Sequence, residues 1–237
     1  MLKFGMNVRN LLMKMISSPS PSSRSIQYSI HLMLFRGSQD LAIKFHGEDH
    51  QFSKKKKMLT TKPTSNSICF AHDLEIPGTT GNKIRIRVWT PKEKKGATSE
   101  EKYPVAIWIH GGGFVLGHGM NSMSDKYCKK IIERRGFIVA PIDYRLAPEH
   151  PFPAAVEDVD IATHSILTGG LGEKADLSHV VVLGESAGGN LAAVASMMAR
   201  DRQISGRAEN EARIRWQVLI QPCIALTEGL DSTESCR

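Results

Sequence analysis

The 237-residue sequence has no unbroken apolar run approaching the roughly 18 residues that a membrane-crossing helix requires, so no transmembrane segment is predicted. Cysteine is scarce. Cys69, Cys128, Cys223 and Cys236 lie far apart, and none belongs to a Cys-x-x-Cys pair. That spacing excludes a thiolate zinc site and the dense disulfide framework of a small secreted domain; reduced thiols in an intracellular protein are the expectation. Aromatic residues make up 6% of the chain, and none is interleaved with the run Lys54–Lys57, so the stacking platform of a single-strand nucleic-acid binder is missing and no nucleic-acid partner is predicted. Asp and Glu are absent from the first 39 positions, which hold Lys3, Arg9, Lys14, Arg24 and Arg36. This end and the four lysines account for the net charge of +7, the remainder being close to balance; the basic tail reads as a solvated flexible segment rather than a nucleic-acid or membrane contact. The sequence shows no internal repeat.

With 41% apolar and 23% charged residues the composition is that of an ordinary globular protein, long enough for one or two domains and a sizeable core. From Ile68 onward the periodicities are clear. Cys69–Ile76 reads as a strand closed by Pro77-Gly78. Over Lys83–Trp89, Ile84, Ile86 and Val88 alternate with Arg85 and Arg87, the pattern of a half-buried strand. Lys92–Lys102 is a charged loop. Val105–Ile109, Phe137–Ile142 and Val180–Leu183 are continuous apolar runs, as strands buried on both faces must be, and Ile214–Ile220 is a further strand. Helical patterns cover Ser124–Arg135, Ala154–Leu167 and Ser186–Arg200. Buried strands alternating with helices predict an α/β fold: a mostly parallel twisted sheet with helices on both faces, begun by two antiparallel strands.

Three segments carry chemistry. In Val180-Val-Val-Leu-Gly184-Glu185-Ser186-Ala187-Gly188 a strand runs through Gly-x-Ser-x-Gly straight into a helix. A chain that reverses so sharply presents its central serine at a helix N-terminus, where Gly184 and Gly188 allow close backbone approach and the Ala187 N–H points outward. Such a serine is built to attack a carbonyl carbon; the blander role is that of a helix cap. His110-Gly111-Gly112-Gly113-Phe114 follows the buried strand Val105–Ile109, and glycines at a strand end leave backbone N–H groups uncovered, as an oxyanion hole requires. In Asp143-Tyr-Arg145-Leu-Ala-Pro148-Glu149-His150-Pro151-Phe152-Pro153, the prolines predict a rigid extended connection near the site. Asp143 and Arg145 are placed to lock it by pairing, and His150 is read as structural.

HGGGF, DYRLAPEHPFPAA and GESAGGNLAA, in this order and at this spacing, resemble the hormone-sensitive-lipase-like esterases of the α/β-hydrolase fold. The resemblance spans roughly Asp73 to Leu226. It implies Ser186 as nucleophile, Gly112, Gly113 and Ala187 as oxyanion donors, and His110 anchoring the glycine loop with Gly111. Gly184, Glu185 and Gly188 shape the elbow. It implies a small-molecule ester substrate and no metal or cofactor. Glu185 stands where the family has Asp, keeping the carboxylate.

A serine hydroxyl is a weak nucleophile until an imidazole accepts its proton, and in this fold the acid and the histidine follow the serine. No histidine follows Ser186; the last is His179. The expectation is therefore an incomplete chain, lacking the last strands with the catalytic Asp and His, whose strand Ile214–Ile220 becomes an apolar edge. Two other readings use the same pocket: a non-catalytic small-molecule binder, as the gibberellin receptors that resemble this family are, and a peptidase or long-chain lipase. Residues 1–66 match the family poorly and are set apart from a partial hydrolase domain over 67–237. Met1–Ile16 is apolar with scattered basic residues, and Ser17–Ser25 is rich in Ser and Pro. An organelle transit peptide, a cap helix over Asn10–Ile16 and a poorly ordered terminus all fit. A cytoplasmic protein is expected, or a mitochondrial one if the basic start is a transit peptide. Oligomeric state is not encoded in any pattern seen here.

Overall fold

The computed structural model describes residues 60–93, 101–207 and 210–224. Most of the segment 1–66 and of the charged loop after Lys92 falls outside them, as does Cys236.

Six strands form one sheet: β1 (Cys69–Pro77), β2 (Lys83–Pro91), β3 (Tyr103–Ile109), β4 (Ile138–Asp143), β5 (Ala175–Glu185) and β6 (Ile214–Ile220), in the spatial order β1-β2-β4-β3-β5-β6. β1 pairs antiparallel with β2 and β2 antiparallel with β4; the pairs among β3, β4, β5 and β6 are parallel. The antiparallel start and the parallel remainder match the sequence reading, and the chain has the α/β-hydrolase architecture.

Among the described residues three helices cover the sheet: α1 (Ser122–Arg135), α2 (Ala154–Leu167) and α3 (Ala187–Ile204). Strand alternation decides what each face meets. On β3, Val105, Ile107 and Ile109 join Val180 and Val182 of β5 in a core closed by Val156, Val159 and Ile166 of α2 and Leu191, Ala195 and Ala199 of α3. The intervening residues Ala106 and Trp108 face the other way, into a smaller core with Trp89, Val139, Val181 and, from α1, Cys128 and Ile132. Each fully buried Ile, Val or Leu contributes about 1.5–3 kcal/mol, so the larger core dominates the stability of the fold. α1 starts where the Asn121 side chain accepts from the Met123 and Ser124 N–H groups at 3.0 and 2.8 Å, and stops at Gly136, which takes the left-handed conformation (φ 67°).

Two expectations are revised. Arg87 does not lie on a solvated face: it is fully buried, because Asp73 holds its guanidinium at 2.7 Å from one side while Asp125 and Thr61 flank it from the other. β5 begins at Ala175, well before the apolar run; its polar first half pairs with Tyr103 and Pro104, ahead of a break in register. Backbone pairing forms that half together with Ala175, buried in the larger core, and Leu177, packed against it.

The register Ile109↔Gly184 and Ile109↔Ile142 brings the C-terminal ends of β3, β4 and β5 level with one another. The loops that leave these ends carry the three motifs. Among the described residues β6 is the sheet edge beyond β5, and Trp216, Val218 and Ile220 on it are 54%, 43% and 40% exposed. Leu219, expected to be uncovered with them, packs against the larger core instead. No helix among the described residues is long and apolar enough to cross a membrane.

Candidate active site

β5 ends at Glu185 and α3 begins at Ala187, so Ser186 alone makes the turn, at φ 53° and ψ −118°. Positive φ is uncommon for a residue with a Cβ and persists only where the surroundings impose it. Here they do. The Gly184 α-carbon rests against the Gly188 carbonyl, and Gly188 against the carbonyls of Ile109 and His110; a side chain at either position would strike backbone. The Ser186 N–H donates to the Ile220 carbonyl at 2.9 Å, and its own carbonyl accepts from Asn190 N at 3.1 Å and Cys223 N at 3.0 Å. The main chain is thus held from three sides. The hydroxyl makes no capping bond to α3, which removes the bland role for this serine. Asn190, buried in the first turn of α3, donates from Nδ2 to the Cys223 carbonyl at 2.7 Å and ties the elbow to the segment after β6.

The glycine loop leaves β3 directly opposite. The His110 ring lies flat on Tyr144, with centroids 4.2 Å apart and planes 8° from parallel, and the Tyr144 hydroxyl donates to the His110 carbonyl at 2.8 Å. Complete burial drives the Tyr144 phenol far above its ordinary range, so it stays protonated and remains a donor. His110 Nδ1 lies 2.8 Å from the Gly111 carbonyl, an acceptor, which places the imidazole proton on that nitrogen. Gly111 touches the elbow: a Cβ there would come within 2.8 Å of the Glu185 carbonyl and 3.3 Å of Ser186 Cβ. Beyond it Gly112, Gly113 and Phe114 all have positive φ, and the Gly112 carbonyl accepts from Val115 N and Leu116 N at 3.2 and 2.8 Å, closing the loop on itself. Among the described residues no hydrogen bond takes up the N–H of Gly112, Gly113 or Ala187. Of the residues predicted to act together, Gly111 touches the Ser186 side chain and Gly112 lines one cavity with it, whereas Gly113 and Ala187 are not among the residues lining that cavity.

A cavity of about 240 Å³ opens beside the elbow, lined by Ser186, Glu185, Gly111, Gly112, His118 and Trp108 among others. A larger groove, about 450 Å³ between α3 and β6, holds Ser196, whose Oγ is engaged by the Ala192 carbonyl and offers no free nucleophile.

The third motif is not locked as expected. Asp143 and Arg145 do not pair. Asp143, at the end of β4, accepts from Gly119 N at 3.2 Å and lies 3.0 Å from His118 Nδ1. Arg145 turns the other way and grips Asp158 of α2, with Nε 2.9 Å from each carboxylate oxygen, and Glu157 at 3.2 Å. The chain leaves the strand between them, so the two side chains serve opposite walls. His150 is exposed, as its structural reading allows. His179 lies on β5 six residues before Glu185, about 20 Å back along the strand, and pairs with Asp176 at 2.7 Å. No imidazole among the described residues is hydrogen-bonded to Ser186, and none of them forms a cluster of three His, Cys, Asp or Glu able to hold a metal. Sequence reasoning overlooked His118 and Tyr144. Neither stands in a spacing that signals a role; Tyr144 at least lies within the Pro-rich segment singled out.

Comparison with known proteins places this arrangement. A family model described as alpha/beta hydrolase fold matches residues 106–236, and one described as carboxylesterase family matches residues 53–148. Esterase LipI of Mycobacterium tuberculosis is 41% identical over 129 residues, covering 54% of this chain and 38% of the relative. Among solved structures, a hyperthermophilic esterase from the archaeon Pyrobaculum calidifontis superposes with a TM-score of 0.56 at 35% identity, covering 86% of this chain and 58% of that one. Brefeldin A esterase, described as a bacterial homologue of human hormone-sensitive lipase, gives 0.54 at 25% identity over 83% of this chain and 49% of that one. The chain thus spans well under two thirds of each relative's length. By its matched region, its sheet and its paired loops, the chain belongs to the alpha/beta hydrolase fold family and is similar to hormone-sensitive-lipase-like esterases within it.

Proposed function

We propose that this chain carries the nucleophile half of a carboxylic ester hydrolase. Ser186 attacks the ester carbonyl; Gly112, Gly113 and Ala187 donate to the oxyanion that forms; Glu185 and the glycines around it hold the elbow. The observation that carries this reading is the Ser186 backbone, strained at φ 53° while its hydroxyl is spared from capping the helix. Strain of about 1–3 kcal/mol is retained at a position whose side chain serves no structural bond. An oxyanion donor acts only on charge that appears in the transition state, which is why a single one is worth about 10²–10³ in kcat.

The step balances simply. The Ser186 Oγ–carbonyl bond forms as the hydroxyl proton passes to a base; the tetrahedral intermediate collapses; the alcohol leaves with that proton; water then releases the acid by the reverse route. The base has to be an imidazole oriented by a carboxylate, and the fold orders both after the serine. No His follows Ser186 in this sequence, and the chain covers 38% of LipI and 58% of the archaeal esterase. The substrate is a small-molecule ester, and the reaction as drawn uses no metal or cofactor.

A fluorophosphonate, which traps an activated serine, tests this directly. Label is expected at Ser186 by peptide mapping in a form that carries the acid and the histidine, and absent in Ser186→Ala. Equal labelling of Ser186→Ala, or ligand binding without ester turnover by the longest natural product, would overturn the assignment.

A further inference from the structure

A loop built of glycines has few side chains of its own to hold it, so its shape must be imposed from behind. Gly117 does this: a Cβ there would sit 2.5 Å from both the Gly111 carbonyl and His110 Nδ1. The segment Gly117–Met120 is therefore the wall on which the glycine loop rests. What fixes the wall is His118, 2% exposed and lining the same cavity as Ser186. Its Nδ1 lies 3.0 Å from Asp143 Oδ1, its carbonyl accepts from Ser124 Oγ at 3.2 Å, and its Nε2 meets Thr60 Oγ1. The Met120 N–H donates to Nδ1 at 3.0 Å, so that nitrogen accepts and the ring proton sits on Nε2, directed at Thr60 Oγ1. The Thr60–Thr61 pair is itself clamped. Thr61 N donates to the Met120 carbonyl at 2.9 Å, and buried Arg87 donates to Thr61 Oγ1 at 2.6 Å and to the Thr61 carbonyl at 2.7 Å.

We propose that His118 is a positioning residue for the oxyanion loop, its orientation set by the Thr60 hydroxyl on one ring nitrogen and the Met120 N–H on the other. The relay runs from Arg87 on β2 through Thr60–Thr61 to His118, and from His118 through Gly117 to Gly111–Gly113. It acts on the loop through the Gly117 backbone. The catalytic consequence rests on the ester-hydrolase reading above; the effect on the loop does not.

The sparing test is Thr60→Val, which keeps shape and removes the hydroxyl, leaving Nε2 buried and unpaired; Thr60→Ser restores the hydroxyl. Two readouts are taken on the same full chain: amide hydrogen exchange, and the second-order rate of fluorophosphonate labelling at Ser186. Thr60→Val is expected to speed exchange at Val115 and Leu116, whose N–H groups close the glycine loop on Gly112, and at Gly119 and Met120 about tenfold, and to slow labelling by a similar factor, the scale of one buried hydrogen-bonding group losing its partner. Exchange in α2 and α3 stays at the wild-type rate, and Thr60→Ser recovers both signals. Wild-type exchange at Val115 and Leu116 in Thr60→Val, or equal acceleration in α2 and α3, would overturn the proposal. If Ser186 takes no label even in a form that carries the acid and the histidine, the hydrolase reading fails and the exchange result alone decides the positioning role.

Discussion

At Ser186 backbone geometry and side-chain identity pull against each other. The turn would be easiest for glycine, yet a hydroxyl stands there. Ser186→Gly relieves a strain of about 1–3 kcal/mol and forfeits about 0.5–1 kcal/mol through the greater freedom of glycine in the unfolded chain. The variant is therefore expected to be about 1 kcal/mol more stable, read as a higher urea midpoint at unchanged slope, while losing all fluorophosphonate label. A drop in the midpoint would show that the elbow is relaxed as it stands. This residue was legible in the sequence because the elbow needs a fixed spacing of glycines about a serine. His118 was not. Its neighbours, Thr60 and Asp143, are remote in sequence, so no local pattern marks it, and only the sheet brings them together. The expected Asp143–Arg145 pair failed for a related reason: two residues flanking the end of a strand need not share a direction once the strand is left.

Among the elements, those with strong apolar periodicity were read nearly to their ends. Ala154–Leu167 is α2 without adjustment, and α3 extends only a few residues past its predicted close at Arg200. The first half of β5 was hidden because polar residues form it through main-chain pairing. Arg87 was misread because alternation alone assigns an arginine to solvent, whereas Asp73 of β1 and Asp125 of α1 converge on it. That convergence joins β1, β2, α1 and residues 60–61 at one buried point. Removing the cation while leaving both carboxylates there should cost about 3–5 kcal/mol, the range for breaking a buried ion pair from one side. Arg87→Met is accordingly expected to unfold at a markedly lower denaturant midpoint. Replacing the arginine and both carboxylates with apolar residues recovers most of that loss. If Arg87→Met alone leaves the midpoint within about 0.5 kcal/mol of wild type, the size of an ordinary surface change, the cluster is not what ties these elements together.

At the scale of the molecule, among the described residues, the sheet is well covered at its centre and poorly covered at β6. An exposed strand with unpaired backbone groups and apolar side chains is a template for another chain. The 237-residue chain produced on its own is expected to self-associate, and Val218→Lys, a charge placed at the middle of that edge, should raise the monomer fraction in sedimentation. A monodisperse wild-type chain with a sharp cooperative melt would contradict this. The fold class, strand directions and the meeting of the two loops were legible from the sequence, since they follow from which runs are apolar and which ends carry glycine. The cover over the site was not, because its readings fall on residues 1–59, outside the described residues.

Of the three tryptophans, Trp89 and Trp108 are buried and Trp216 alone faces outward, stacked on His179 with ring centroids 6.1 Å apart. The edge strand therefore carries its own optical label. Iodide reaches one indole and not the other two, so the quenchable, red-shifted part of the emission belongs to β6, and whatever comes to lie on that strand will announce itself as a shift to the blue.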